Sequence, residues 1–247
     1  MRGFKVIPSV TTIARSASSW RDKLAEIEPL GLRSVGLFLT GVREAERREL
    51  YRELELAHVR HLFTIPFVHA VSDMADDEYR YLMDRFGTEI FNLHPARQYP
   101  LLHALSSEVR DRITIENAFI DKSIDLMDLS GFHGICMDLT HAEDLRRKDV
   151  QEFEKLERLV HRVPVRVNHV SLSGEAALID SYGEVTYHTH TRAEGGDVSY
   201  LKRYSPEFFG SIIAIELADS LAEQGHLIPI VEEIVTEKLQ PVVKKAA

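Results

Sequence analysis

The stretch GICMDLTHA, Gly134 to Ala142, sets a pattern that recurs along the chain. Gly134 to Met137 is a short apolar run between a glycine and a carboxylate, as in a strand buried on both faces. The run stops at Asp138. His141 follows, just ahead of the acidic pair Glu143–Asp144, which reads as a helix start. A carboxylate at the exit of a buried strand is costly to desolvate unless it is paired or bound to a cation. An imidazole one turn further on is a natural companion ligand.

Eight apolar runs alternate with helical or polar stretches. Strands are expected over Phe4–Val10, Arg33–Leu39, Leu62–Val68, Glu89–Leu93, Arg112–Ile115, Gly134–Met137, Val163–Val170 and Ser211–Ile215. Helices are expected over Ser18–Leu30, Glu44–Ala57, Ala75–Phe86, Tyr99–Leu105, Lys122–Leu129, Asp144–His161 and Ser220–Lys238. Ser18 or Ser19 would cap the first helix, and Gly31 follows its end. A long loop is expected over Ser171–Val198. Such alternation predicts a parallel sheet with right-handed crossovers. Eight units in 247 residues favour an α/β fold of the (β/α)8 TIM-barrel type, one domain over residues 1–247. The segment after the first strand, PSVTTIARS, has no glycine-rich dinucleotide fingerprint.

The net charge of −9 disfavours duplex nucleic acid as a partner, since a polyanion is repelled unless cations are focused on one face. The basic clusters Arg43–Arg48 and Arg146–Lys148 are interleaved with acids, as on a solvated helix surface. No apolar run approaches the ~20 residues that span a bilayer, and the first run is too short for a signal peptide. The single cysteine, Cys136, leaves no partner for an intramolecular disulfide, and a reducing cytoplasm is the expected setting. A homo-oligomer stays open.

In a barrel the C-terminal ends of all strands converge on one face. Strand ends three to eight would bring His69, His94, Glu116, Asp138, His169 and Glu216 together there. His141 joins them from the loop after strand six, and His188 and His190 from the loop after strand seven. Three carboxylates at one small mouth repel and take up protons unless cations neutralise them. Mixed imidazole and carboxylate ligands suit zinc first, with manganese or iron(II) as alternatives. Arg97, Arg192 and Lys202 are candidates to bind a substrate phosphate. Cys136 alternates with Asp138, so it is expected beneath the site as a small core hydrophobe. Gly195-Gly196 could form a tight turn that closes the loop over the substrate.

The ordered motifs PFVHA, NLHPA, ITIENAF, GICMDLTHA, VNHVSLSG, HTHTRAEGG and IAIELA resemble the xylose isomerase-like TIM-barrel superfamily, which includes the apurinic/apyrimidinic endonuclease family 2 (endonuclease IV). The resemblance covers nearly the whole chain. In the endonuclease branch it implies a trinuclear zinc cluster. His69, His94 and Glu116 would hold one metal. Glu116 would bridge to a second, held also by Asp138, Glu216 and a strand-seven histidine. His141, His188 and His190 would hold the third. In the family pattern the strand-seven histidine stands where this chain has Ser171; His169 lies two residues earlier, on the same strand face but about 6–7 Å lower. The family's Asp-x-His pair is here His188-x-His190. The tyrosine expected soon after the strand-three histidine is absent, with Val71 and Ser72 in its place. The long loops that grip a duplex have no obvious counterpart.

Two chemistries follow. One is a metal-dependent hydrolase acting on a phosphoester, with a small phosphorylated molecule as substrate and Glu116 fixing the attacking water. The other is a single-metal sugar or sugar-phosphate isomerase or epimerase. There the ion is held by Glu116, Asp138, His169 and Glu216, and the two glutamates exchange a proton beside a carbonyl. His188 and His190 are surplus to the second and favour the first. A catalytically silent binding protein on the same barrel is the third possibility.

Overall fold

The computed structural model describes residues 3–12, 18–118, 128–179 and 185–240. In chain order the strands are β1 (Lys5–Ile7), β2 (Ser9–Thr11), β3 (Ser34–Phe38), β4 (Thr64–His69), β5 (Ile90–Leu93), β6 (Ile113–Glu116), β7 (Gly134–Asp138), β8 (Val165–Val170), β9 (Leu172–Ile179), β10 (Val185–Thr189) and β11 (Ile212–Ile215). The helices are α1 (Trp20–Glu26), α2 (Glu44–Arg60), α3 (Asp76–Phe86), α4 (Ser107–Arg110), α5 (Leu139–Lys148), α6 (Val150–Val160), α7 (Leu221–Gly225) and α8 (Ile228–Leu239).

Pro8 divides the first expected strand, and the division closes the barrel. β1 pairs in parallel with β11, and β2 pairs in parallel with β3. Between these ends the order β11-β8-β7-β6-β5-β4-β3 is parallel throughout. β1 and β2 together make one staff, so eight staves form a closed TIM barrel. The inward positions sort into a small apolar cluster of Ile7, Phe38, Phe67, Ile90, Cys136, Val167, Ile212 and Ala214. The larger core lies outside, between strands and helices, where the alternate positions of the same strands meet α1 to α8. Gly36 keeps the interior open: a Cβ there would stand 2.6 Å from Ser9 Oγ.

Other expected elements differ, among them the closing helix Ser220–Lys238, which is α7 and α8. The helix expected over Asp144–His161 is two helices, α5 and α6, broken at Asp149. Asp149 ends α5 and caps α6, its carboxylate accepting from Gln151 N and Glu152 N. α5 also starts earlier, at Leu139, because Asp138 itself is the N-cap. The expected loop Ser171–Val198 contains the antiparallel hairpin of β9 and β10. Tyr99–Leu105 is not helical; the short helix there is α4, capped by Ser106. The helix expected over Lys122–Leu129 lies almost entirely outside the described residues. No described helix is long and apolar enough to cross a membrane.

Candidate metal centre

Strand ends and the first turn of α5 supply the centre. His69 closes β4, Glu116 closes β6, Asp138 closes β7, His169 lies in β8, and Glu216 follows β11; each is 8% exposed or less. His94 follows β5 and is half-buried. Glu116 is the hub. Its Oε2 lies 3.0 Å from His69 Nε2, 3.8 Å from His94 Nε2 and 3.7 Å from His169 Nδ1. Asn92, inward-facing on β5, donates from Nδ2 to the same oxygen at 2.6 Å. His169 Nδ1 also stands 3.5 Å from Glu216 Oε2. His141 Nε2 lies 3.6 Å from Asp138 Oδ2.

Three groups bring their ligand atoms within 4.8 Å of one another: His69, Glu116 and His169; Glu116, Asp138 and His141; Asp138, His169 and Glu216. His188 and His190 stand outside those trios but beside them. The His141 and His188 rings are 4.8 Å apart, and the His188 and His190 rings 5.3 Å.

The hydrogen bonds prepare these groups as ligands. Asp138 spends Oδ1 on its own helix, accepting from Thr140 N, His141 N and the Thr140 hydroxyl, which leaves Oδ2 for the centre. Asn117 grips the Asp138 main chain from both sides, at 2.6 and 2.9 Å. His69 Nδ1 donates to Ala70 O at 3.1 Å, and His190 Nδ1 to Glu216 O at 3.0 Å. His188 Nδ1 donates to Asp144 Oδ2 at 2.9 Å. In all three rings the lone pair is then on Nε2, the tautomer that outer partners impose on metal-binding histidines.

Burial holds His94, His169 and His190 neutral, each lowered to about 4. Burial works to raise Glu116, but the imidazoles of His169, His69 and His94 outweigh it, and its carboxyl lies well below the usual range. Glu216 has no such compensation: burial, then Asp138 and Glu116, push it well above the ordinary value. A divalent cation fits this set on the molecule's own terms. His169 Nδ1 is buried without a hydrogen-bond partner while facing two carboxylates, and a cation is what both sides lack.

The hairpin delivers His188 and is clamped to α5. Asp144 accepts from Tyr187 N and the Thr186 hydroxyl as well as from His188. Buried Glu143 accepts from Arg146, Arg147 and Arg203, and Arg147 also reaches Gly174 O on β9. Gly196, at φ +88°, lets the returning chain touch β9: a Cβ there would lie 3.0 Å from the Ser173 carbonyl carbon. Gly196 thus brings the loop against the hairpin, whereas a Cβ on Gly195 would meet nothing within 4 Å. Sequence reasoning missed Asn92, Asn117 and Asp144. Asn92 had a signal, its i,i+2 spacing from His94; Asp144 was read only as helix-start charge.

Arg97 is exposed in the turn after His94-Pro95; the nearby Asp128 carboxyl is lowered mainly by hydrogen bonds from Ser130, with a smaller share from the Arg97 charge. Arg192 and Lys202 are exposed and line a hollow of about 450 Å³ against α8, with Leu172, Val198 and Ile234. None of the trio residues lines that hollow.

No protein-family model matches the chain, and no curated protein matches its sequence. Among solved structures, a xylose isomerase domain-containing protein from Salmonella typhimurium is similar over 97% of this chain and 100% of its own, at 13% identity and a TM-score of 0.50. The fold is a TIM barrel. Endonuclease IV from Thermus thermophilus is similar over 95% of this chain and 99% of its own, at 15% identity and a TM-score of 0.44. Phospho-2-dehydro-3-deoxyheptonate aldolase from Thermotoga maritima covers 96% of this chain and 70% of its own, at 11% identity and a TM-score of 0.48. Within the barrel the expected strand-seven slot, Ser171, comes level with Glu216, and its hydroxyl pairs with Thr140. His169 is level with Asp138, lower in the barrel and still turned inward.

Proposed function

We propose that this chain is a divalent-metal-dependent hydrolase acting on a small phosphoester. The observation that carries the reading is the surplus of imidazoles. Beyond the trios around Glu116, Asp138 and Glu216, the rings of His188 and His190 lie beside His141, each with Nδ1 on an oxygen acceptor and so with its lone pair on Nε2. One ion does not use so many ligands. Zinc suits the donor set best, and manganese or iron(II) next. His69, His94 and Glu116 would hold one ion; Asp138, His169 and Glu216, with Glu116 shared, a second; His141, His188 and His190 a third.

Bound cations supply charge neutralisation at the phosphoryl group and acidification of a water. Glu116, ionised and oriented by Asn92, fixes the attacking water, whose proton loss the bound cations would favour. The water oxygen bonds phosphorus, the ester P–O bond breaks, and the leaving oxygen is met by the His141, His188 and His190 side. Phe38 and Phe67 pack under His169 with ring centroids at 4.8 and 5.2 Å and exclude water from below. The net charge of −9 argues for a small substrate over duplex DNA.

One observation favours a second reading. Glu116 and Glu216 flank His169, and their environments push their proton affinities apart, one low and one high. That is the arrangement of a base and an acid exchanging a proton on a sugar, with one ion. Elemental analysis of protein purified without chelator separates the two: about three ions per chain supports the hydrolase, about one the isomerase, and none overturns both. Glu116→Gln should abolish turnover of whichever substrate class is found while the melting curve stays cooperative. Full activity in a metal-replete Glu116→Gln protein would overturn both mechanisms.

A further inference from the structure

Beneath the ligands lies a contact that the reading above does not use. Cys136 Sγ stands 3.2 Å from His169 Nε2, and both residues are wholly buried. The other ring nitrogen, Nδ1, has no hydrogen-bond partner and faces Glu216 Oε2 at 3.5 Å and Glu116 Oε2 at 3.7 Å. A neutral imidazole carries one N–H and one lone pair. With the hydrogen on Nδ1, a buried donor goes unmet, and Nε2 must accept from a thiol, which is a weak donor. With the hydrogen on Nε2, the sulfur receives it, and the Nδ1 lone pair is turned on two carboxylates. A cation placed between them completes that second arrangement.

His169 therefore differs from His69, His188 and His190, whose Nδ1 hydrogens go to oxygen acceptors and whose lone pairs are on Nε2. Its place in the barrel gives the reason. His169 is level with Asp138, whereas the expected slot at Ser171 is level with Glu216. The ring reaches the carboxylates from below with Nδ1, and Nε2 is left pointing into the apolar interior. Phe38 and Phe67 pack on the ring there and offer no acceptor. Cys136, inward on β7 two residues before Asp138, supplies the polar atom on that side.

We infer that Cys136 is a positioning residue of the metal centre: its sulfur accepts the Nε2–H of His169 and so holds the Nδ1 lone pair toward a divalent cation shared with Glu116 and Glu216. The inference rests on the metal-dependent reading above and names the nitrogen that serves in it and the group that orients it. Removing such an outer partner lowers metal affinity by roughly 10- to 100-fold in metalloproteins. Serine keeps an acceptor at this position; alanine does not.

The test is zinc titration against a chromophoric chelator for wild type, Cys136→Ser and Cys136→Ala, with melting curves. It is joined to nitrogen-15 histidine NMR of the zinc-loaded wild type. Cys136→Ala should bind zinc about 10- to 100-fold more weakly, with Cys136→Ser in between. The His169 ring of the wild type should carry its hydrogen on Nε2 and show a metal-shifted Nδ1. Unchanged zinc affinity in a folded Cys136→Ala protein overturns the inference, as does a hydrogen on Nδ1. The NMR result decides the matter alone if the alanine variant fails to fold. A wild type that binds no divalent cation overturns the parent reading as well, which the variants' behaviour by itself does not.

Discussion

Lys23 shows what a single buried charge does in this barrel. It sits on α1 with no exposed surface, and its Nζ donates to Thr11 Oγ1, Ser18 O and Ala218 O at 3.1, 3.0 and 2.7 Å. These oxygens lie on both sides of the seam where β2 and the chain after β11 meet. Burial lowers the ammonium from 10.5 to about 8, with Asp219 opposing. Below about pH 8 the group is charged in both folded and unfolded chains, and the folded state bears the cost of burying it. Between about 8 and 10.5 the unfolded chain binds a proton that the folded one releases. Stability from this residue therefore rises with pH across that window. Urea unfolding at pH 7.5 and pH 10 should show wild type gaining relative to Lys23→Met, and a difference independent of pH would refute the assignment. At this scale most of the centre was legible: His69, Glu116, Asp138 and Glu216 end apolar runs, and a barrel brings such ends together. The tautomer of each histidine was not. It depends on acceptors such as Asp144 and Cys136 that only folding brings alongside, and a cysteine two residues before a ligand reads equally well as core.

Among the elements, α5 and the hairpin set how the third group of ligands is presented. Asp138 caps α5, so the residue that offers Oδ2 to the centre also starts the helix that carries His141 and Asp144. Asp144 then holds His188 across the gap to β10. The periodic apolar residues of Asp144–His161 run on through the break, which is why one long helix was expected. A single capping aspartate at 149 is enough to stop α5 and restart α6 in a new direction. Its carboxylate accepts from Gln151 N and Glu152 N, both at 3.1 Å. The hairpin escaped detection for a different reason. LSGEAALI, residues 172–179, lacks a clean alternation of apolar and polar residues because β9 lies with β10 in a sheet outside the barrel and stands largely in solvent. Asp149→Ala should cost about 1 kcal/mol of stability, the usual value of a lost N-cap. It should leave metal content unchanged, since α6 carries no ligand. A urea midpoint equal to wild type would show that the break is held by packing of Phe153, Leu156 and Val160 instead.

Over the whole molecule, the centre joins strands that are far apart in sequence. The candidate ligand side chains come from β4, β6, β7, β8, the first turn of α5 and the chain after β11, and these strands are hydrogen-bonded into one parallel sheet. That sheet was readable from the count of alternating units; its closing device, the Pro8 break that lets one segment pair on two sides, was not. Closure has an electrostatic consequence. Glu116, Asp138 and Glu216 are all buried, and the imidazoles that offset Glu116 and Asp138 leave Glu216 uncompensated. A cation at the mouth removes that repulsion only in the folded chain, so its binding stabilises by mass action. At a free concentration a hundredfold above the dissociation constant the gain is about 2.7 kcal/mol. For a domain of this size each kcal/mol moves the melting temperature by about 2–4 °C. Dialysis against chelator should therefore lower the melting temperature by about 5–10 °C, and zinc should restore it. Glu216→Gln offers the control: with the uncompensated carboxyl gone, its chelated form should melt at or above the chelated wild type and respond less to zinc. Scanning calorimetry of the four samples measures both differences. Equal melting temperatures for chelated and zinc-loaded wild type would mean that no cation ties these strands together.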